Sequence, residues 1–311
     1  MNGGAALDAR GARRLAGQIL KQLLGQAPRR VTPLAGGLSN FVFEAPHKEG
    51  PLVVRISADP MRIKEFLKEQ WAMARAREQG VPVPEVLEIG TAPVGAPFMV
   101  SRKVPGAEAT HHPDRFRVLQ EMGRLARLIH GVRTSGFGNT FDWSENQLSR
   151  KETWRDYLTR EYQGEDRLEL LKRLDMLPAS SLKALRATLR EVSAWELEPA
   201  LNHGDLRLKN VVVGPDGAVA ALLDWEFCTS HAAPYWDLSI ALHDLSVDAK
   251  EAFLEGYGMS AREVLEAAPV LRLFNLLNYS AAVERAEREK DRATLERLRA
   301  RLHGALDLYA F

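Results

Sequence analysis

The chain has 311 residues, of which 45% are hydrophobic and 27% charged, a composition typical of a soluble globular protein with one large domain or two lobes. Its 42 basic and 41 acidic residues leave a formal net charge of +1, which gives no support for binding to nucleic acid or to a membrane surface. The single cysteine, Cys228, excludes an internal disulfide framework and a Cys-rich zinc site.

The N-terminal segment lacks the apolar core of a signal peptide. No apolar run in the chain approaches the roughly 20 residues that a membrane span needs. We therefore expect a cytoplasmic protein. Residues 8–25 place Leu15, Ile19 and Leu23 at helical spacing with basic residues between them, which predicts an amphipathic helix.

A glycine pair, Gly36 and Gly37, interrupts the first predicted strand within the stretch 31–44, and the strand resumes with alternating Phe41 and Phe43. Glycine lets the backbone approach an anion closely, and the N–H groups of a turn can cradle a phosphate. The stretch is therefore either a plain hairpin turn or an anion-binding loop.

The next predicted strand, 51–56, carries one basic residue, Arg55, in an apolar run. A cation inside a strand is costly unless it meets an anion. The Asp-Pro pair that follows is a typical helix start, and we predict a helix over 59–79 that ends at a glycine. Glu65 and Glu69 lie four residues apart on one face of this helix.

A further apolar strand begins at Pro97 and runs into a Pro-Gly break, and helical patterns follow over 114–130 and 180–196. Between these helices lie four aromatic residues among many charges. They can line a substrate groove or anchor a core, and we expect core. These residues are Trp143, Trp154, Tyr157 and Tyr162.

Three polar side chains frame a short predicted hairpin. Asp205 and Asn210 precede it in the pattern His-Gly-Asp-x-x-x-x-Asn, and Asp224 follows it in Asp-Trp-Glu. The hairpin itself is formed by the β-rich runs 211–213 and 218–221 around a Gly-Pro-Asp-Gly turn. Phosphoryl transfer in kinase-like enzymes uses this set of side chains, since one carboxylate orients the attacking hydroxyl while an Asn and an Asp hold Mg²⁺.

The long, position-specific pattern resembles the aminoglycoside phosphotransferase and choline kinase-like family, the small-molecule branch of the protein-kinase-like fold. The resemblance implies an α+β, bilobal fold with the nucleotide between the lobes. It predicts a small β-rich, nucleotide-binding lobe over 1–100, a hinge at 101–106, and a larger, mainly helical catalytic and substrate-binding lobe over 107–311.

The resemblance also implies which residues bind ATP or GTP. The glycine-pair loop would cover the nucleotide, Arg55 would reach its phosphates, and the hinge backbone would bind its purine. The family's pairing acid lies about a dozen residues before a Val-Pro-x-Pro element, which selects Glu69 over Glu65 as the partner of Arg55. Arginine replaces the more usual lysine here, keeps the charge and can bind phosphate bidentately. The implied nucleotide-binding residues are Gly36, Gly37, Ser39, Asn40, Arg55, Glu69, Ser101, Arg102, Lys103 and Val104.

In the larger lobe, Asp205 would align the acceptor hydroxyl and take its proton, while Asn210 and Asp224 would coordinate Mg²⁺. Arg207 departs from the family pattern, and it is either a catalytic group that stabilises the transferring phosphoryl or a surface arginine. Asp237 would brace the backbone of the catalytic loop rather than take part in the chemistry.

Three functions compete. The first is an ATP- or GTP-dependent phosphotransferase that acts on a hydroxyl of a small molecule, either an aminoglycoside-like antibiotic or a metabolite alcohol. The second is a catalytically silent nucleotide-binding module, against which the intact catalytic set argues. The third is a protein kinase, which the Asp-Trp-Glu exit and the lack of an Ala-Pro-Glu motif disfavour. No nucleic-acid or membrane partner is expected.

In the family, the acceptor binds between the late helices and the catalytic loop. The polar residues of this chain that fit such a place are Glu255, Tyr257, Asn275, Asn278, Tyr279 and Glu284. Polycationic antibiotics favour acidic sites, and a net charge of +1 gives that choice no bulk support.

Overall fold

The structure, a computed structural model, describes residues 7–34, 40–142, 144–149, 152–243 and 245–306. The chain divides into two compact units, which we call the N-terminal unit (Met1–Ala107 and Val212–Glu226) and the C-terminal unit (Glu108–Val211 and Phe227–Phe311). The strands are β1 Thr32–Pro33, β2 Phe41–Ala45, β3 Leu52–Ile56, β4 Val86–Thr91, β5 Pro97–Arg102, β6 Ala107–Glu108, β7 Phe141–Asp142, β8 Gln147–Leu148, β9 Ala200–Asn202, β10 Val211–Val213, β11 Val219–Leu222 and β12 Thr229–His231. The α-helices are α1 Ala9–Leu24, α2 Arg62–Glu78, α3 Arg115–His130, α4 Trp154–Asp156, α5 Gly164–Arg173, α6 Ala179–Ser193, α7 Tyr235–Ala241, α8 Val247–Tyr257, α9 Ala261–Asn278, α10 Ser280–Arg288 and α11 Arg292–Leu306.

The N-terminal unit is built on an antiparallel sheet of five strands in the order β1-β2-β3-β5-β4. Strand β3 alternates in burial, so that Leu52, Val54 and Ile56 share a core with helix α1, while Arg55 faces the opposite side. Helix α1 begins at an Asp8 cap, whose carboxylate accepts a hydrogen bond from the Gly11 N–H at 2.7 Å. The predicted helix over 8–25 is therefore confirmed.

Helix α2 begins later than predicted. The carboxylate of Asp59 accepts a hydrogen bond from the Met61 N–H at 2.9 Å, and this turn delays the first helical residue to Arg62. The helix ends at Glu78, before Gly80, as its sequence predicts.

The predicted hairpin is present as strands β10 and β11, joined in a three-stranded sheet of order β11-β10-β6. The prediction placed this hairpin in the C-terminal lobe, whereas its residues 212–226 belong to the N-terminal unit. One link is the hydrogen bond from the Leu222 N–H to the Pro82 carbonyl, at 2.9 Å. Gly106 also packs closely against the hairpin, because a Cβ atom at this position would lie only 2.2 Å from the Val213 carbonyl oxygen.

The C-terminal unit is mainly helical and contains a short antiparallel pair of strands, β9 and β12. Its core includes Trp154, Tyr157 and Tyr162, which are 4%, 6% and 3% exposed. These aromatic residues are therefore core anchors, as expected, while Trp143 lies outside the described residues. Within the described ranges, no helix has the length and apolar character needed to cross a membrane.

Candidate active site

The catalytic loop leaves strand β9 at Asn202 and is held from below by a buried carboxylate. Asp237 accepts hydrogen bonds from the N–H groups of His203 at 2.8 Å and Gly204 at 2.7 Å. Gly204 has φ 84°, and a Cβ atom there would lie 2.1 Å from the Phe227 carbonyl oxygen, so this turn requires glycine. Asp237 thus makes the backbone contacts predicted for a bracing residue.

A hydrogen-bonded chain extends from Asp237 through His130 to Tyr257. His130 Nε2 lies 3.1 Å from an Asp237 oxygen, and His130 Nδ1 lies 2.9 Å from the Tyr257 hydroxyl. Because an ionised carboxylate only accepts, Nε2 carries the proton and Nδ1 accepts from Tyr257. Burial acts to raise the pKa of Asp237, but His130 and the loop N–H groups outweigh it and hold this pKa below its ordinary value. The contact that Tyr257 makes is therefore with the bracing network.

Asp205 has both carboxylate oxygens occupied. Arg207 Nε lies 2.9 Å from Oδ1, and Lys209 Nζ lies 2.8 Å from Oδ2. Asp205 is only 6% exposed, whereas the side chains of Arg207 and Lys209 are 41% and 49% exposed. Arg207 is thus a partner of the central carboxylate rather than an isolated surface arginine. The sequence reasoning missed Lys209, although its place four residues after Asp205 is visible in the motif.

Asn210 has a fixed amide orientation. Its Nδ2 donates to the Asp205 carbonyl oxygen at 2.8 Å and to Asp205 Oδ2 at 2.9 Å. Since these partners only accept, the amide oxygen is Oδ1, and it forms no hydrogen bond with the residues that the structure describes. A neutral amide oxygen is a suitable ligand for a hard cation such as Mg²⁺.

Asp224, in the N-terminal unit, has φ 64°, a left-handed conformation that is uncommon outside glycine and that aspartate tolerates. Its half-buried carboxylate forms no hydrogen bond or ion pair with any described residue. A carboxylate in this situation is available as a ligand. Across the described ranges, no three His, Cys, Asp or Glu side chains gather into a group that could hold a metal ion. Magnesium needs no such cage, since one or two carboxylates and phosphate oxygens suffice.

Two basic residues of helix α2 fix the exit of the hairpin. Arg62 forms an ion pair with the Glu226 carboxylate at 3.0 Å, and Lys68 Nζ donates to the Glu226 carbonyl oxygen at 2.9 Å. Lys68 is 1% exposed and also forms an ion pair with Glu65 at 2.7 Å. Sequence reasoning missed the two contacts of Lys68, because a lysine in a helix is ordinarily exposed.

Arg55 and Glu69 form a bidentate ion pair within the N-terminal unit, with N–O distances of 2.5 and 3.2 Å. The Glu69 side chain is 2% exposed and the Arg55 side chain 20%. Burial lowers the pKa of Arg55, but the carboxylates of Glu69, Asp224 and Glu226 outweigh it and raise this pKa above its ordinary value. Burial raises the pKa of Glu69, and Arg55 opposes that rise. The expected partner is therefore Glu69, while Glu65 pairs with Lys68.

The remaining predicted nucleotide-binding residues divide into two groups. Gly36, Gly37 and Ser39 lie outside the described residues. Asn40 is described, and its buried Oδ1 atom has no hydrogen-bond partner among the described residues.

In the predicted hinge, Ser101 and Arg102 end strand β5. The N–H of Arg102 donates to the Glu85 carbonyl at 2.9 Å, and the N–H of Lys103 donates to the Pro51 carbonyl at 2.8 Å. These two N–H groups are therefore engaged by the protein itself, and the expected purine contact of the hinge backbone stays a prediction. The N–H of Val104 makes no hydrogen bond with a described residue.

Several predicted acceptor-binding residues meet at one cavity of the C-terminal unit. This cavity of about 730 Å³ is lined by Asn275, Asn278, Tyr279 and Glu284 together with Arg207. Glu255 is not among its lining residues. Because Arg207 forms an ion pair with Asp205, the cavity wall lies next to the central carboxylate.

Comparison with known proteins adds a family and a fold. Residues 30–274 match the sequence model of the phosphotransferase enzyme family. No curated protein matches the chain.

Among solved structures, aminoglycoside phosphotransferase APH(4)-Ia has a TM-score of 0.71 at 17% identity, over 96% of this chain and 99% of that one. A thermostable mutant of that enzyme in ternary complex with AMP-PNP and hygromycin B gives 0.69 at 18% identity, over 94% and 98%. The GDP and kanamycin complex of APH(2")-IIIa gives 0.66 at 15% identity, over 94% and 98%. These similarities confirm the predicted α+β, protein-kinase-like fold.

Proposed function

The chain belongs to the phosphotransferase enzyme family, and on that premise we propose that it transfers the γ-phosphoryl group of a nucleoside triphosphate to a hydroxyl of a small molecule. The observation that carries this proposal is the buried Asp205 carboxylate, held on a braced loop beside Asn210, whose amide oxygen is left without a partner among the described residues. A silent nucleotide-binding module has no need of this arrangement, and the family match favours a small-molecule acceptor over the protein substrate of a protein kinase.

Asp205 accepts a hydrogen bond from the acceptor hydroxyl and takes its proton as the phosphoryl group transfers. The hydroxyl reaches Asp205 by replacing Arg207 or Lys209 at one carboxylate oxygen, since both side chains are partly exposed and can move. The transition state is loose, so alignment of the hydroxyl contributes more than the basicity of Asp205. A guanidinium or ammonium that stays nearby offsets the charge of the transferring group.

Arg55 binds the nucleotide phosphates, and its bidentate contact with Glu69 fixes the direction of the guanidinium. The Asn210 amide oxygen and the Asp224 carboxylate are the groups that would hold Mg²⁺, and a bound Mg²⁺ would offset negative charge on the nucleotide phosphates. Similar solved structures bind AMP-PNP or GDP, which supports a purine nucleotide, and ATP and GTP are both candidates. A cytoplasmic location stays a prediction of the sequence.

The test is a coupled assay of nucleotide turnover with ATP or GTP and Mg²⁺ across a panel of alcohols that includes aminoglycosides, choline, homoserine, sugars and sugar acids. Product mass must show the gain of one phosphoryl group. Turnover that no alcohol accelerates, with no phosphorylated product, would refute the proposal.

Asp205→Asn should leave nucleotide binding nearly intact and lower kcat at least about a hundredfold, because the acceptor hydroxyl loses both its alignment and the group that takes its proton. The matched control is Asp216→Asn, at an exposed turn of the β10–β11 hairpin, which should keep wild-type kcat. If Asp205→Asn kept more than about a tenth of kcat, the role of Asp205 would be wrong.

A further inference from the structure

One side of helix α10 faces the cavity beside Arg207. Ala281, Glu284, Arg285 and Arg288 are spaced i, i+3, i+4 and i+7, so they share that side, while the buried residues of the helix lie on the other. The two arginines therefore belong to the cavity wall rather than to the core packing of the helix.

The wall is strongly basic. Its described charged residues are four arginines and one carboxylate, namely Arg207, Arg285, Arg288, Arg301 and Glu284. The side chains of Arg285 and Arg288 form no hydrogen bond or ion pair with any described residue, whereas the nearby Glu287 is held by Arg173. A helix C-terminus favours cations, which accounts for arginines in the last turn of α10. It does not account for Arg207 and Arg301, which reach the same cavity from other segments.

Arg301, on helix α11, is fixed at this wall. Its Nε donates to His243 Nε2 at 3.1 Å, and its guanidinium lies 5.3 Å from the centre of the Tyr279 ring. The Tyr279 hydroxyl lies 2.5 Å from the same His243 nitrogen. The position of this charge is therefore set by the protein before any ligand binds.

Asn275 supplies a matching polar group. Its Nδ2 donates to the Ser239 carbonyl at 2.6 Å, which fixes the amide and leaves the buried Oδ1 without a partner among the described residues. Buried acceptors without partners are uncommon, and a ligand hydroxyl can satisfy this one. The cavity thus combines an acceptor for a hydroxyl with cations for an anion.

A second, neighbouring cavity is also lined by basic residues. It measures about 470 Å³, shares Arg207 and Ile240 with the first, and its charged lining residues are Arg115, Arg207 and Lys209, with no carboxylate among the described ones. A polycationic ligand would meet like charges on both sides of Arg207.

We infer that the acceptor is an anionic alcohol, a small molecule that carries a carboxylate or phosphate group as well as the reacting hydroxyl, bound in the cavity beside Arg207. This inference rests on the proposed function for the identity of the acceptor. The anion pairs with Arg285, Arg288 and Arg301, and a second hydroxyl donates to Asn275. Aminoglycosides are then poor acceptors.

The first test measures binding without turnover, with four ligands that share one sugar scaffold and differ in charge. Glucose, glucosamine, glucuronate and glucose 6-phosphate are titrated calorimetrically into the full chain, with saturating ADP and Mg²⁺ to block the nucleotide phosphate site. Glucuronate or glucose 6-phosphate should bind at least about tenfold more tightly than glucose and glucosamine, and the better of the two distinguishes a carboxylate from a phosphate ligand. Equal affinities, preference for glucosamine, or no binding of either anion would overturn the inference.

The second test locates the site. The double variant Arg285→Gln with Arg288→Gln should weaken binding of the better anion at least about tenfold. The matched control is Arg262→Gln, at an arginine of helix α9 whose side chain is 88% exposed, and it should bind the anion as the wild type does. Unchanged affinity in the double variant would also overturn the inference. Both arginines are exposed, so the variant should keep the wild-type Tm.

The kinetic panel separates this inference from the proposed function. Anionic alcohols should have the highest kcat/KM, and the double variant should raise the acceptor KM while the nucleotide KM stays unchanged. If a cationic alcohol is the best acceptor, the function stands and the anion site fails. If no alcohol is phosphorylated but the anions bind and the double variant loses them, the site stands and the function fails.

Discussion

The ion pair between Arg55 and Glu69 allows a quantitative test of the proposal that Glu69 holds Arg55 in position for a nucleotide. Arg55→Ala leaves the Glu69 carboxylate, whose side chain is 2% exposed, without its cation. Removing one partner of a buried pair costs about 3–5 kcal/mol, because the other charge stays buried and unpaired. Glu69→Ala should cost less, about 1–3 kcal/mol, since Arg55 is 20% exposed and retains the attraction of Asp224 and Glu226.

The double variant removes both charges together and should cost less than the sum of the single variants, with a coupling free energy of at least about 1.5 kcal/mol. The guanidinium also lies over the Phe66 ring at 5.2 Å, so Arg55→Ala loses packing that the cycle cancels. Urea unfolding measures the cycle for stability, and kcat/KM for the nucleotide measures it for function. Arg55→Lys should recover only part of either loss, because a point charge replaces a bidentate fork.

A matched control lies on the same helix. Arg75 and Glu78 form an ion pair at 3.0 Å with side chains 47% and 57% exposed, and their coupling should stay below about 1 kcal/mol. A pH series adds a second check, since losing Arg55 raises the pKa of Glu69 further. The folded Arg55→Ala variant then binds a proton that the unfolded chain lacks, so its deficit should shrink as the pH falls from 7 to 5. Additive stability effects within about 0.5 kcal/mol would refute the coupling.

Three further predictions concern other groups. Asp224→Ala should abolish the Mg²⁺-dependent part of nucleotide binding, and calorimetry that shows equal affinity for the variant and the wild type in Mg²⁺ would contradict a metal ligand there. Asp237→Asn weakens the charge-assisted hydrogen bonds from His203, Gly204 and His130. It should therefore lower kcat, and lower the unfolding free energy by about 1.5–3 kcal/mol, while the nucleotide KM changes little. An unchanged kcat would show that bracing of the loop is dispensable. Burial lowers the pKa of His231 to about 3 from an ordinary 6.5. Below pH 6.5 the unfolded chain therefore binds a proton at His231 that the folded chain does not bind, and the unfolding free energy falls as the pH drops. This group contributes a slope of up to about 1.4 kcal/mol per pH unit, which His231→Phe should remove, and the same acid slope in the variant would exclude His231 as its source.

Much of the fold was predictable because its signals are local. An N-cap aspartate and a following glycine bound helix α1, and a Gly-Pro-Asp-Gly turn between β-rich runs marks the hairpin. The partner of Arg55 was predicted differently, because the family resemblance, through the place of its pairing acid before the Val-Pro-x-Pro element, implied Glu69. The start of helix α2 was predicted less well. Asp59 accepts a hydrogen bond from the Met61 N–H, and this turn moves the first helical residue from the predicted position to Arg62.

Contacts between distant residues were not predictable in the same way. The bond between His130 and Tyr257 joins residues 127 positions apart, and Lys68 reaches Glu226 across 158. Both depend on how elements pack, and neither leaves a periodic pattern. Lys68 shows the difficulty well, because the carbonyl that stabilises its burial belongs to the distant Glu226, and only the ion pair with Glu65 lies on its own helix.

The charge of the cavity beside Arg207 shows why net composition misleads about a local site. A net charge of +1 is a sum over the whole chain, and it says nothing of how charges are distributed. Arg207 comes from the catalytic loop, Arg285 and Arg288 from one side of α10, and Arg301 from α11, and the fold brings all four to one wall. Because an ion in a partly closed cavity is screened less than one on the open surface, we expect these few arginines to decide which ligand the cavity binds. If the inferred anion site is correct, selectivity follows from the local sign of this wall, and Arg285→Glu with Arg288→Glu should shift the preference of the cavity from anions towards amines.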